Sequence, residues 1–167
     1  DTPVLRWECP QGFEVLPDHI RAAECRDWLE AHLAPLLVTL PADAISFNGE
    51  DFGRTGDLTV HVPLIQTQNL VRRVPFVVEL RNVPFRQQEQ IAFYLIDRLP
   101  RFTGGAFDAR GNGQFLAEVA MQRYGASRIQ QVMLSEGWYR EHMPPVKAAL
   151  EDGTLDGLPR DGDVLAD

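Results

Sequence analysis

Lysine is all but missing from this sequence: Lys147 stands alone, and arginine supplies the other 15 of the 16 basic residues. That scarcity excludes a phosphate loop of the G-x-x-x-x-G-K-[ST] type, since Val146, not glycine, precedes Lys147. Cysteine is nearly as rare. Cys9 and Cys25 make no C-x-x-C pair and read as small, inert, buried residues of a reducing compartment. His19, His32, His61 and His142 lack the spacing of zinc ligands. No apolar run approaches the roughly 20 residues that cross a bilayer, and no signal peptide opens the sequence, so no membrane partner is expected. Gly111-Asn112-Gly113 lacks the third glycine of a dinucleotide fingerprint. Asp51-Phe52-Gly53 matches the metal-binding tripeptide of protein kinases, but neither an H-R-D loop nor a strand lysine accompanies it.

What remains is ordinary in bulk and uneven in detail. With 167 residues, 44% hydrophobic and 24% charged, the chain makes one domain with at most a short arm. Its net charge of −8 argues against a nucleic-acid partner until the distribution is read. From Asp51 to Arg110, eight arginines face six acids, so that segment carries +2 and the remainder −10. Arginine suits bidentate phosphate contacts. The alternative is that these arginines are solvated or paired with local acids.

Residues 1–17 have no clean period and read as an irregular or extended arm, with Trp7, Phe13 and Val15 packing on the core. A helical pattern starts at Asp18, a candidate N-cap, with Cys25, Leu29 and Leu33 on one face, and Pro41 closes the region. Residues 1–43 thus form an arm and linker helix, and 44–167 the main domain. Ile45–Phe52 and Leu58–Ile65 predict a hairpin, and Leu70–Arg81 a third, antiparallel strand. Pro84 to Pro100 predicts an amphipathic helix, Thr103–Asp108 a strand, Phe115–Tyr124 a helix stopped by Gly125, and Ile129–Leu134 a strand. A partly helical stretch follows over Trp138–Asp152. Three meandering strands followed by β-α-β crossovers give an α/β fold with a mixed five-stranded sheet flanked by helices. The right-handed crossover puts the fourth strand parallel to the first and beside it. That is the ribonuclease H-like arrangement.

Adjacency of those strands brings Asp51 and Asp108 to equivalent C-terminal ends. Paired carboxylates there suit Mg²⁺ or Mn²⁺, which take oxygen ligands, and two such ions can drive phosphodiester hydrolysis. Taken singly, Asp51 also reads as a turn residue before glycine and Asp108 as the N-cap of the next helix. Asp57 reads either as a supporting acid or as a hairpin residue. Glu50 alternates to the face opposite Asp51 and is set aside. Trp138-Tyr139 and Phe115 could stack on bases, although core packing is the commoner use of such residues.

Gly49-Glu50-Asp51-Phe52-Gly53-Arg54-Thr55-Gly56-Asp57-Leu58-Thr59 resembles the first nuclease motif of the large terminase subunits of tailed phages. Gly105-Ala106-Phe107-Asp108-Ala109-Arg110-Gly111-Asn112-Gly113-Gln114 resembles their second. Trp138-Tyr139-Arg140 through Leu150-Glu151-Asp152-Gly153 and Leu158-Pro159 is similar to the downstream region of the Mu-like branch. The likeness covers most of residues 40–160. It implies a ribonuclease H-like endonuclease domain that cuts concatemeric double-stranded DNA with Mg²⁺ or Mn²⁺ during packaging in the host cytoplasm. It implies Asp51 and Asp108 as catalytic metal ligands with Asp57 supporting them, and the portal or procapsid and the small terminase subunit as partners. The sequence shows no counterpart of the family's ATPase and is expected to be an isolated nuclease domain. The family's third acid lies in a later helix, before which this chain stops; Asp161, Asp163 and Asp167 replace it in number only. Two other readings stay open: a non-catalytic module docking DNA or a capsid component, and a fragment of an actin- or sugar-kinase-like phosphotransferase.

Overall fold

Antiparallel pairing of β2 (Ile45–Asp51) with β3 (Leu58–Gln66) builds the centre of the sheet, in register from Ile45↔Gln66 to Asp51↔Val60. The computed structural model describes residues 1–53, 58–132 and Glu141. β3 continues the meander antiparallel to β5 (Val77–Arg81), and β6 (Phe102–Asp108) returns parallel to β2, with Glu50 opposite Phe107. β7 (Ile129–Val132) adds a further parallel strand beside β6. These are the three antiparallel and two parallel strands expected from the sequence, with the fourth beside the first. The sheet is nevertheless larger than five strands: among the described residues it has seven, in the order β1-β5-β3-β2-β6-β7 with β4 on β3.

Both additions have local causes. β1 (Val4–Glu8) is an edge strand running parallel to β5. It is only half-buried, so it lacks the strong alternation of a core strand, and Arg6 reaches its register partner Glu79 at 2.9 Å. The expected third strand, Leu70–Arg81, is broken into β4 (Arg72–Arg73) and β5. Pro75 falls in the break. On the facing strand, Pro63 lies between the last β5 pair, His61↔Val78, and the first β4 pair, Ile65↔Arg73. A proline has no N–H to give to the ladder, so the pairing lapses there.

Helices α1 (Asp18–Trp28), α2 (Ala34–Leu37), α3 (Phe85–Arg98) and α4 (Gly113–Tyr124) flank the sheet. Asp18 is the first helical residue rather than the cap, a position Pro17 holds, and its carboxylate pairs with Arg21. Between α1 and α2 the backbone widens into one π turn, Leu29–Leu33, with Leu29 and Leu33 both fully buried. The core has two parts. One packs Cys25, Leu29 and Leu33 with Ile91 and Leu95 of α3 against Val78 and Leu80 of the sheet. The other packs Ile96 of α3 and Leu116 of α4 against Phe107 and Ile129. Trp28 stacks on Trp7 at 5.8 Å and donates its indole N–H to the Arg6 carbonyl, which joins α1 to β1. Cys9 and Cys25 are free and buried. No helix among the described residues is long and apolar enough to cross a membrane.

Candidate functional site

The parallel register of β2 and β6 pairs Glu50 with Phe107, so the next residue on each strand is an aspartate: Asp51 and Asp108. Both strands end there, and both side chains are almost wholly buried, at 2% and 1% exposure. The sequence places both acids at strand ends, and the crossover through α3 brings them alongside. Their carboxylates meet on one cation, Arg110. Its Nε donates to Asp108 Oδ1 at 2.8 Å and its Nη2 to Asp108 Oδ2 at 3.1 Å, a two-pronged contact that Nη2 extends to Asp51 Oδ1 at 3.3 Å. The hydrogen bonds it donates to Asp108 raise the Arg110 pKa further above its already high value, against the opposing effect of burial. A bidentate guanidinium–carboxylate pair is among the stronger charge-assisted contacts a protein makes.

Asp108 is held by its backbone as well. Its Oδ1 accepts the Arg110 backbone N–H at 3.1 Å, closing a turn two residues long. The cap of α4 is Asn112, so Asp108 is not the N-cap that its sequence position suggested. Gly111 takes φ +53° in this turn, a left-handed value that suits glycine. Gly113 is needed for a different reason: a Cβ there would lie 2.6 Å from the Asp108 carbonyl oxygen and 2.8 Å from Phe52 Cβ. The first residue of α4 therefore presses directly on both strand ends. After Asp51, the Gly53 N–H donates to Thr59 Oγ1, whose hydroxyl donates to Gln88 Oε1 of α3.

Glu50, set aside because it alternates away from Asp51, does contribute beneath the pair. Fully buried, it accepts the Asp108 backbone N–H on Oε1 at 3.2 Å. Burial pushes its pKa well above the usual carboxylate range; the hydrogen bond from Asp108 opposes this, and the charges of Asp108 and Asp51 add to it. Two residues back on the same face, Asn48 Nδ2 lies 3.1 Å from His61 Nδ1, and burial lowers the His61 pKa to about 4. The polar series Ser46, Asn48, Glu50 on one face of a strand was the signal available for this buried network.

Beside the acids lies a cleft of about 920 Å³ whose lining includes Phe52, Gly53, Gln88, Asp108, Arg110 and Phe115. Phe115 is 60% exposed and faces this cleft rather than the core. Asp57, Asp161, Asp163, Asp167 and the Trp138-Tyr139 pair lie outside the described residues. Among the described residues, no group of three or more His, Cys, Asp or Glu side chains is placed to share a metal ion. The donor set on hand is thus two hard carboxylates already sharing one cation, a set that fits Mg²⁺ or Mn²⁺ in kind, since such ions use one or two carboxylates and complete their shell with water and phosphate.

Neither a protein-family model nor a solved structure matches the chain. Two curated proteins do. A probable large terminase subunit, gp28 of Escherichia phage Mu, is 50% identical over 151 residues, which is 90% of this chain and 27% of that protein. The Mu-like prophage FluMu protein gp28 of Haemophilus influenzae is 37% identical over 163 residues, 98% of this chain and 32% of the relative. The chain thus spans about a third or less of the length of these relatives. With half of its aligned residues shared with the first and nearly its whole length matched by the second, the chain corresponds to one part of the Mu-like gp28 proteins, the first of them a probable large terminase subunit.

Proposed function

We propose that this chain carries the DNA-cutting site of a packaging terminase, a ribonuclease H-like endonuclease domain dependent on Mg²⁺ or Mn²⁺. The observation that carries this reading is the meeting of Asp51 and Asp108 at the ends of adjacent parallel strands, within the strand order β5-β3-β2-β6-β7. In this reading the two carboxylates hold the metal, and Asp57 supports them. A bound divalent ion supplies an activated water and stabilises the leaving oxygen of the phosphodiester. Glu50 and Gly113 fix the Asp108 backbone, and Thr59 with Gln88 fixes the chain after Asp51, so that neither carboxylate needs to reorganise. Double-stranded DNA is the substrate, and the portal or procapsid and the small terminase subunit are the partners, in the cytoplasm of the host.

The ion pairs of Arg110 favour one other reading, in which the acids only staple β2 to β6 and the domain docks DNA or capsid without cutting. The match to a probable large terminase subunit leaves the phosphotransferase alternative without support. Nicking of supercoiled DNA in Mn²⁺ separates the two, with the chain extended toward the full length of its relatives. Asp51→Asn and Asp108→Asn should each lower nicking by at least about 100-fold, the upper end of what outer partners of a metal site cost. Cutting at the wild-type rate by both variants would refute the nuclease reading.

A further inference from the structure

We infer that Arg110 is a built-in rival of the metal: its guanidinium fills the place between Asp51 and Asp108 until a divalent cation displaces it into the adjoining cleft. The inference rests on the metal-site reading above and adds to it how the site is controlled.

Three features carry it. First, the guanidinium is bound as a shared cation would be, with three contacts of 2.8, 3.1 and 3.3 Å to carboxylates from two different strands. Two nearly buried carboxylates side by side repel each other, and a shared cation relieves that repulsion while both stay ionised. Second, a divalent ion and a guanidinium cannot share that space, because both are positive and both need the same oxygens. Third, departure of the side chain leaves Asp108 in place. Asp108 keeps the Arg110 backbone N–H on Oδ1 and keeps Glu50 on its own N–H, neither of which involves the guanidinium. The Arg110 side chain also lines the cleft of about 920 Å³, which gives the displaced guanidinium a space to enter.

Two observables then move in opposite directions when the rival is removed. Arg110→Gln should bind metal more tightly, because no ion pair has to be broken, and should be less stable without metal, because the carboxylates lose their counter-ion. A merely structural arginine would lower both. The test uses the 167-residue chain, with free Mn²⁺ followed by its electron paramagnetic resonance signal and the thermal midpoint recorded with and without Mn²⁺. Arg110→Gln should bind Mn²⁺ about 10-fold or more tighter than wild type, the gain expected when the guanidinium leaves the site open about one-tenth of the time or less. It should melt lower than wild type without Mn²⁺ and recover most of the difference in its presence. Arg110→Lys, which keeps a charge but not the two-pronged grip, should fall between wild type and Arg110→Gln in affinity. It decides the matter if Arg110→Gln does not fold. Tighter binding by either variant supports the inference. Binding that is unchanged or weaker in the variants overturns it, while the metal site itself stands if Asp51→Asn abolishes wild-type binding. Absence of Mn²⁺ binding in wild type and variants alike overturns both readings together.

Discussion

Replacing Gly113 by alanine sets two effects of opposite sign against each other, and the geometry decides which prevails. Gly113 opens α4 with a backbone that is not left-handed, so alanine meets no backbone strain. On helix propensity alone, the change should stabilise by about 1 kcal/mol. The new Cβ, however, would stand 2.6 Å from the Asp108 carbonyl oxygen and 2.8 Å from Phe52 Cβ, where ordinary contact begins at 3.4 Å. A gap of about 0.8 Å has to open between α4 and the end of β6. The obstruction is backbone, which yields less readily than a side chain, so the cost belongs in the upper half of the roughly 1–3 kcal/mol that overpacking brings. The net expectation is a loss of about 1–2 kcal/mol. Urea unfolding followed by the fluorescence of the core residues Trp7 and Trp28 measures it directly. The displacement also drags the Asp108 carbonyl, so DNA nicking should fall by about 100-fold, as misplacements near 1 Å do. If Gly113→Ala is as stable as wild type or more so, the close approach of α4 to the acids is not what holds the site, and the reasoning fails.

Two further predictions concern titration and reactivity. The His61 pKa is lowered to about 4 from 6.5, so its contribution to stability is fully present above pH 6.5 and is lost as the pH falls toward 4. At about 1.4 kcal/mol per unit, that amounts to roughly 3 kcal/mol. His61→Gln keeps an acceptor for Asn48, so its stability should fall less steeply than wild type between pH 6.5 and 4 in urea titrations. Parallel slopes would remove His61 from the acid response. Burial raises the thiols of Cys9 and Cys25 to about 12, with Cys9 adding to the shift at Cys25. Neither should react with an aromatic disulfide reagent at pH 8 in native protein, whereas both should react in denaturant; rapid native labelling would contradict the packing of α1 on the sheet.

Part of the fold follows from hydrophobic patterning: α3 buries Ile91, Ala92, Leu95 and Ile96 on one face, and β3 buries Val60, Val62, Leu64 and Ile65. β1 escapes that logic, since an edge strand half-buried along its length leaves a weak pattern. The split of β4 from β5 was written in Pro75 and in Pro63 opposite, but its reading depends on knowing which strands face each other. The nearness of Asp51 and Asp108 was legible from two strand ends and the handedness of a crossover. Arg110 was not, because an arginine in a turn reads equally well as a phosphate contact, and only the tertiary structure shows its guanidinium turned inward onto the acids. Alternation placed Glu50 away from Asp51, but alternation says nothing of a neighbouring strand's terminal N–H, and that is where the Glu50 carboxylate goes.

The parallel pairing of β2 with β6 also has a kinetic meaning. Arg110 and Asp51 are 59 residues apart in the chain, and the described elements between them are the meander strands, the crossover helix and β6. Closing a loop of that length costs about 3–4 kcal/mol of chain entropy before any contact rewards it. Such non-local pairing belongs to the slower part of folding. A chain emerging from the ribosome can therefore form the β2–β3 hairpin early, while its two acids stay apart until β6 docks. On the proposed reading of the site, the two acids are thus kept apart in every species in which β6 has not yet docked on β2.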